Sequence, residues 1–252
     1  MPPSLEPQAT RVRLGMLTPS SNTALEPLTQ MLLAPLGGRV SAHFSRFRVT
    51  RIALGGSSDL QFQHAPILAA AELLADAKAD VIAWNGTSAS WLGFDTDDAL
   101  CEGIARASGA RATTAIASLN AILVERGIRR LGLVTPYTAD VQARIVANYA
   151  GIGVEIPAEI HLGLSDNFSF ALAAEAEIAE MCRAAARPGV DAVAIVCTNM
   201  RGTMIAPEIE REIGVPVLDS IAVTLWGCLR AAGIPTGPLA PFGRLFAEDA
   251  AG

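Results

Sequence analysis

Nowhere does this sequence gather lysine and arginine into a run. Its 19 basic residues are outnumbered by 25 acidic ones, and the formal net charge is -6. Such a chain has no stripe of cations with which to track a phosphate backbone, so a nucleic-acid partner is excluded. Histidine is equally sparse: His43, His64 and His161 stand alone, with no metal-ligand spacing and no triad pattern. The four cysteines (Cys101, Cys182, Cys197 and Cys228) form no C-x-x-C pair, so neither a disulfide framework nor a zinc site is expected. No apolar run reaches membrane-spanning length. The opening "MPPSLEPQATRVR" lacks the apolar core of a secretory signal, and a cytoplasmic location is expected. No G-x-G-x-x-G follows a strand and no Walker loop is present, so a nucleotide cofactor is unsupported. "GTSAS" lacks the last glycine of a nucleophile elbow.

What remains is a 252-residue chain that is 51% hydrophobic and 17% charged, long enough to bury a large core. Apolar runs alternate with helical periodicity from end to end. Strands are expected near 12–17, 40–48, 80–85, 130–135, 153–160, 191–196 and 215–218. Helices are expected near 24–34, 62–77, 96–108, 114–127, 139–150, 170–186, 206–213 and 220–232. Strand and helix in alternation imply right-handed crossovers and mostly parallel sheets. The Pro/Gly-rich "GPLAPFGRLFAEDAAG" at the C-terminus is expected to pack back onto the first lobe.

Two motifs occur twice. "ADVIAWNGTSAS" from Ala79 matches "VDAVAIVCTNMR" from Val190, which sets Gly86 opposite Cys197, Thr87 opposite Thr198 and Ser88 opposite Asn199. "RLGMLTPS" from Arg13 matches "RLGLVTPY" from Arg130. The order is the same and the offsets nearly so. The chain is therefore expected to be α/β with two pseudosymmetric lobes, each a parallel sheet flanked by helices. Residues 1–115 plus 222–252 would form the first lobe and 116–221 the second. All four motifs end strands, where open parallel sheets place their ligands. Facing lobes would bring them to one cleft.

Cys197 is the thiol of interest. Most free cysteines are small buried hydrophobes, but this one closes an apolar run and opens into Thr198, Asn199 and Arg201, at a turn whose backbone N–H groups tune thiol acidity. The hydroxyls and amides of these turns serve as helix caps or as a cradle for a carboxylate. Thr23-Ala24-Leu25-Glu26 fits a capping box, making "PSSNT" partly a helix start. Arg201, a cation near a helix start, either pairs with a neighbouring carboxylate or meets an anionic ligand. Tyr137 either donates to a developing oxyanion or is an aromatic with its hydroxyl satisfied.

On "TPSSNT" (18–23), "NGTSAS" (85–90), "VTPYTADVQ" (134–142), "CTN" (197–199), "APEIEREIGVPV" (206–217) and "FGRLF" (242–246), the chain resembles the aspartate/glutamate racemase superfamily. Within it, the resemblance is to the branch of arylmalonate decarboxylases and maleate cis-trans isomerases. It implies an active site between two lobes and no cofactor. The superfamily's racemases use one cysteine from each lobe. Here the second-lobe cysteine is Cys197, and Gly86 stands in the first-lobe position. With one thiol missing, two-base racemisation is not expected.

The resemblance to arylmalonate decarboxylases implies that Thr87, Ser88 and Tyr137 hold an enediolate, which Cys197 protonates from one face. It further implies that Pro19, Ser20, Asn22, Gly86, Thr198, Asn199, Arg201 and Asn167 contact substrate. Asn22 in "TPSSNT" is more like the maleate isomerase version of that loop. Arg46 and Arg48 in "HFSRFRV" (43–49) face one side of their strand by alternation, toward solvent or toward a second carboxylate. The expected partner is a small carboxylic acid, and a homo-oligomer stays open. The leading expectation is a decarboxylase of malonate-like or small dicarboxylic acids. The alternatives are a maleate isomerase or racemase-like enzyme, and a carboxylate-binding protein without catalysis.

Overall fold

Among the described residues, every strand lies in one of two four-stranded sheets built to the same plan. The computed structural model describes residues 11–55 and 61–247. In the first sheet β1 (Val12–Pro19), β2 (Val40–Phe47), β3 (Val81–Trp84) and β4 (Arg111–Thr114) run in the order β2-β1-β3-β4. In the second, β5 (Leu131–Thr135), β6 (Glu159–His161), β7 (Ala192–Ile195) and β8 (Val217–Asp219) run β6-β5-β7-β8. All pairings are parallel. The central strands β3 and β7 are buried along their whole length, which is why they read as unbroken apolar runs.

Among the described residues, ten α-helices fill the crossovers and cover the sheets. They are α1 (Leu25–Leu33), α2 (His64–Asp76), α3 (Ala89–Leu92), α4 (Asp95–Ser108), α5 (Ala115–Glu125), α6 (Ala139–Gly151), α7 (Glu175–Ala185), α8 (Ala206–Ile213), α9 (Ser220–Ala232) and α10 (Arg244–Ala247).

The duplicated motifs carry duplicated structural work. The Arg13 N–H donates to the Asp80 carboxylate at 2.7 Å, and the Asp80 N–H donates to the Arg13 carbonyl at 2.8 Å. In the second lobe the Arg130 N–H meets Asp191 at 2.8 Å, and the Asp191 N–H returns to the Arg130 carbonyl at 2.8 Å. Each Asp thus fixes the register of the first strand against the third. The glycine of each "RLG" admits the crossover helix. A Cβ on Gly15 would come 3.0 Å from a Leu74 methyl of α2, and one on Gly132 would come 2.6 Å from the Ala185 carbonyl oxygen of α7.

The strand-to-helix corners repeat with partners exchanged. At the end of β4, the Thr114 hydroxyl accepts from the Ala117 N–H at 2.8 Å and donates to the buried Asp97 carboxylate. At the end of β8, the Asp219 carboxylate accepts from the Ile221 N–H at 3.0 Å and from the Thr203 hydroxyl at 2.5 Å. The two helices that leave these corners, α5 and α9, pack against each other, with Gly227 set against Ser118 so closely that a Cβ there would lie 2.0 Å from the hydroxyl.

Several local expectations need correction. Strand β4 falls at the junction of two expected helices, because "RATT" has no apolar run to announce it. The expected strand at 153–160 shortens to Glu159–His161, with one isolated bridge from Glu155 to Arg130 before it. The expected helix at 170–186 begins at Glu175, after a 3-10 turn over Ser169–Leu172. The capping box at Thr23 does not form. Asn22 Oδ1 takes the Ala24 and Leu25 N–H groups at 3.0 and 2.9 Å, and Glu26 instead binds Arg46 at 2.7 Å. Asn22 caps the helix start in place of Thr23, and the Thr23 N–H that a capping-box Glu26 would accept from is held by Asn199 Oδ1 at 2.9 Å. The C-terminal turn Gly237–Phe242 touches α1, as expected for a return to the first lobe, and it also reaches α8. Residues 248–252 of that segment lie outside the described residues.

Candidate active site

The carboxyl ends of β1, β3, β5 and β7 point toward one another across the two sheets, and a small cavity of about 20 Å³ lies among them. Of the residues singled out in the sequence, Pro19, Gly86, Thr87, Tyr137, Asn167, Cys197 and Thr198 line it. The remaining wall is apolar: Val49, Ile52, Phe62, Trp84 and Trp91. Sequence reasoning did not pick out these five. One signal was present, since Trp84 is an indole where the second repeat has Ile195.

The polar end of the cavity is a chain of hydroxyl and thiol groups drawn from both lobes. The Thr87 hydroxyl and the Tyr137 hydroxyl lie 2.6 Å apart. Tyr137 is buried, and its ring meets Trp91 and Phe170 edge-on at 5.2 and 5.6 Å. Its hydroxyl also lies within hydrogen-bonding reach of the Cys197 thiol. The Asn199 N–H donates to Cys197 Sγ at 3.3 Å. Burial pushes the Cys197 thiol up to about 12, outweighing the hydrogen bonds that favour the thiolate, and burial likewise raises Tyr137. Both groups therefore hold their protons at neutral pH. Cys101, Cys182 and Cys228 sit in α4, α7 and α9, as their helical context predicted.

Ser88 stands just behind the cavity at the start of α3, its hydroxyl 3.5 Å from Trp84 Nε1. Asn22, Asn199 and Asn167 form a seam that ties the lobes together, while Ser20 bonds only within the first lobe. Asn22 Nδ2 donates to the Thr198 carbonyl at 3.0 Å and to its hydroxyl at 3.2 Å. The Thr23 and Ala24 N–H groups donate to Asn199 Oδ1 at 2.9 and 3.1 Å, while Asn199 Nδ2 reaches the Asn167 carbonyl at 2.6 Å. Asn167 Nδ2 donates to the Ser21 hydroxyl at 2.7 Å, and the Val49 N–H donates to the Ser20 hydroxyl at 3.2 Å. The Thr198 hydroxyl, besides accepting from Asn22, donates to the Asn85 carbonyl at 2.8 Å.

Both arginine questions raised by the sequence are answered by geometry. Arg201 turns away from the cavity, its guanidinium 3.1 Å from the Ala173 carbonyl and 3.9 Å from Glu175. Arg46 holds the 20–22 loop through the Ser20 and Asn22 carbonyls at 3.0 and 2.9 Å and pairs with Glu26, while Arg48 is exposed. Neither Arg46 nor Arg48 interrupts the apolar wall.

A thiol, two hydroxyls and an apolar chamber between duplicated α/β lobes match one family over most of the chain. The model of the family "Arylmalonate decarboxylase" covers residues 41–246. The chain belongs to this family. It is 28% identical to arylmalonate decarboxylase of Bordetella bronchiseptica, over 90% of this chain and 99% of that one. It is 26% identical to maleate isomerase of Nocardia farcinica, over 95% and 97%. The Nocardia farcinica maleate cis-trans isomerase carrying a covalently bound succinylcysteine intermediate superposes with a TM-score of 0.83, covering 94% of this chain and 98% of that one at 26% identity. A crystal structure of arylmalonate decarboxylase superposes with a TM-score of 0.72, over 94% and 99%, at 26% identity. Two parallel sheets flanked by helices are the shared architecture, as the repeats in the sequence implied. This member of the arylmalonate decarboxylase family stands close to both enzymes. Among the described residues no helix is long and apolar enough to cross a membrane.

Proposed function

We propose that this protein is a cofactor-independent decarboxylase of malonate-type diacids that carry an apolar substituent. The observation that carries the reading is the asymmetry of the cavity: one thiol, Cys197, on the second-lobe side, and Gly86 beneath an indole on the other. The apolar wall suits a substituent, and the Thr87–Tyr137 hydroxyl pair suits the carboxylate that is kept.

The carbon–carbon bond to the departing carboxylate breaks and its electron pair moves into the remaining carboxylate, giving an enediolate and carbon dioxide. Hydroxyl donors from Thr87 and Tyr137 stabilise the charge as it develops. Removing the departing carboxylate from water into an apolar chamber raises its energy relative to the neutral gas. The enediolate carbon then takes the Cys197 proton, and solvent returns a proton to the sulfur. A thiol that stays protonated well above neutral pH is in the correct form for this step. Asn167, Thr198 and Pro19 complete the walls around the reacting carbon, while Asn22 and Asn199 hold the two lobes at the spacing the reaction needs.

The second reading is a maleate-type isomerase. It is favoured by Asn22 and by the likeness to the Nocardia protein. In that reaction the sulfur would attack as a thiolate, which burial of Cys197 disfavours.

Proton NMR in D2O separates the two, with purified protein, no added cofactor, and arylmalonates, alkylmalonates, maleate and aspartate offered in turn. The expected result is loss of carbon dioxide from an arylmalonate, with one deuterium entering one face of the product. Replacing Cys197 with Ala is expected to lower that turnover by about 10²–10⁴-fold with the fold intact by circular dichroism. Full activity in Cys197→Ala would sink the mechanism, and conversion of maleate to fumarate would install the second reading.

A further inference from the structure

We infer that Trp84 determines specificity in this cavity, closing its first-lobe face and setting the bulk of the group it accepts; the inference rests on the cavity being the site of the reaction proposed above. A Cβ built on Gly86 would fall 1.9, 2.2 and 2.6 Å from Cζ2, Cε2 and Cη2 of Trp84. The indole therefore lies across the α-carbon from which a first-lobe thiol would project. Loss of that thiol is only half of the change, because its space has been filled.

The ring is held from several sides. Phe47 packs on it with centroids 5.0 Å apart, its Nε1 lies 3.5 Å from the Ser88 hydroxyl, and it is almost fully buried. The repeat partner in the second lobe is Ile195, whose side chain instead lies against Gly202, where a Cβ would meet Ile195 Cδ1 at 2.3 Å. The second-lobe strand end thus keeps its thiol uncovered on the cavity side, while the first-lobe end is roofed by an aromatic ring. With about 20 Å³ of room, the cavity holds about one water molecule. Trp84 and Trp91 are the largest side chains lining it, and of the two Trp84 is the one that lies over Gly86.

Two consequences follow. A proton reaches the reacting carbon only from the Cys197 side, so the product has one hand. A substituent lying along the Trp84 face is limited in size by the ring.

The test uses four proteins: the natural chain, Gly86→Cys, Trp84→Val, and the two changes together. Thermal unfolding reads the steric claim without reference to activity. Gly86→Cys alone is expected to lower the melting temperature, and Trp84→Val is expected to recover much of that loss in the double variant. Exchange of the α-hydrogen of an arylpropionate in D2O, with loss of optical activity, is expected to be at least ten-fold faster in the double variant than in either single one. Titration with phenylacetate and a naphthylacetate is expected to show Trp84→Val shifting preference toward the larger acid by ten-fold or more. The inference is overturned if Gly86→Cys is as stable as the natural chain and exchanges as fast as the double variant, or if the ratio of affinities for the two acids is unchanged in Trp84→Val. Absence of decarboxylation in all four proteins defeats the decarboxylase reading alone, since unfolding and titration still decide the role of Trp84.

Discussion

The two lobes agree where they are built and differ where they face the cavity. Asp80 and Asp191 clamp the same strand pair, Gly15 and Gly132 admit the same crossover helix, and the strand orders coincide. At the cavity the pairs part: Gly86 against Cys197, Trp84 against Ile195, Ser20 against Tyr137. Register and helix approach constrain both copies alike, because either lobe loses its sheet without them. No such constraint acts on the strand ends, and there one copy presents a thiol and the other a wall. A pseudosymmetric scaffold thereby frames a one-sided cavity.

The largest way to break the comparison is to remove the phenolic hydroxyl that the second lobe brings to the cavity where the first lobe has Ser20, which does not line it. Tyr137→Phe is expected to lower kcat by about 10²–10³-fold, the cost of one donor to a developing oxyanion. Thr87→Ala should act in the same range, and the double variant should fall short of the product because the two hydroxyls bind each other. Steady-state kinetics on the best diacid found checks this, and strict multiplicativity would argue against a shared role.

A smaller effect sharpens the structural half. Gly132→Ala drives a methyl group against the Ala185 carbonyl at 2.6 Å, and a backbone oxygen inside a sheet–helix contact has little room to move. We expect about 1–3 kcal/mol of lost stability. Gly15→Ala meets only Ile82 and Leu74 side-chain atoms at 2.9 and 3.0 Å, and should cost less. Chemical denaturation of both variants tests the order, and the reverse order would show that side-chain yielding is not the deciding factor.

The smallest effect concerns pH. Burial raises Asp97 in the first lobe to about 7 and Asp219 in the second to about 6, each from an ordinary value of 3.8. Folded chain therefore holds two protons that unfolded chain has already released between about pH 4 and 6–7. The stability these groups contribute is complete below the unfolded value and is lost as pH rises through 6 and 7. Melting temperature is expected to be higher at pH 5 than at pH 8, and Asp97→Asn should flatten the larger share of that slope. A slope unchanged by Asp97→Asn would assign it to other groups.

The lobed plan was legible in the sequence because strand ends and their anchoring residues are local patterns that duplication printed twice. That Cys197, Thr87 and Tyr137 meet at one cavity was legible for the same reason. What escaped was of two kinds. Strand β4 is too short and too polar to announce itself, and it exists because β3 offers it a ladder. The apolar wall of Val49, Ile52, Phe62 and Trp91 comes from segments with no repeat partner, brought in only by packing. The asparagines illustrate a further limit: residue type marked Asn22, Asn167 and Asn199 as polar groups at a cleft, but only geometry shows each amide engaged by the opposite lobe.

That engagement has a thermodynamic consequence. Under the proposed function, a diacid enters a space sized for about one water only after the seam of asparagine contacts parts. That predicts a sealed population and a smaller receptive one in the free protein. Measured affinity is the intrinsic affinity scaled down by the receptive fraction. Loosening the seam, as Asn22→Ala would, enlarges that fraction and tightens apparent binding without touching a group that contacts the ligand. The same amides that hold the lobes together thus act as a tax on occupancy, and the protein's selectivity begins before any substrate reaches the thiol.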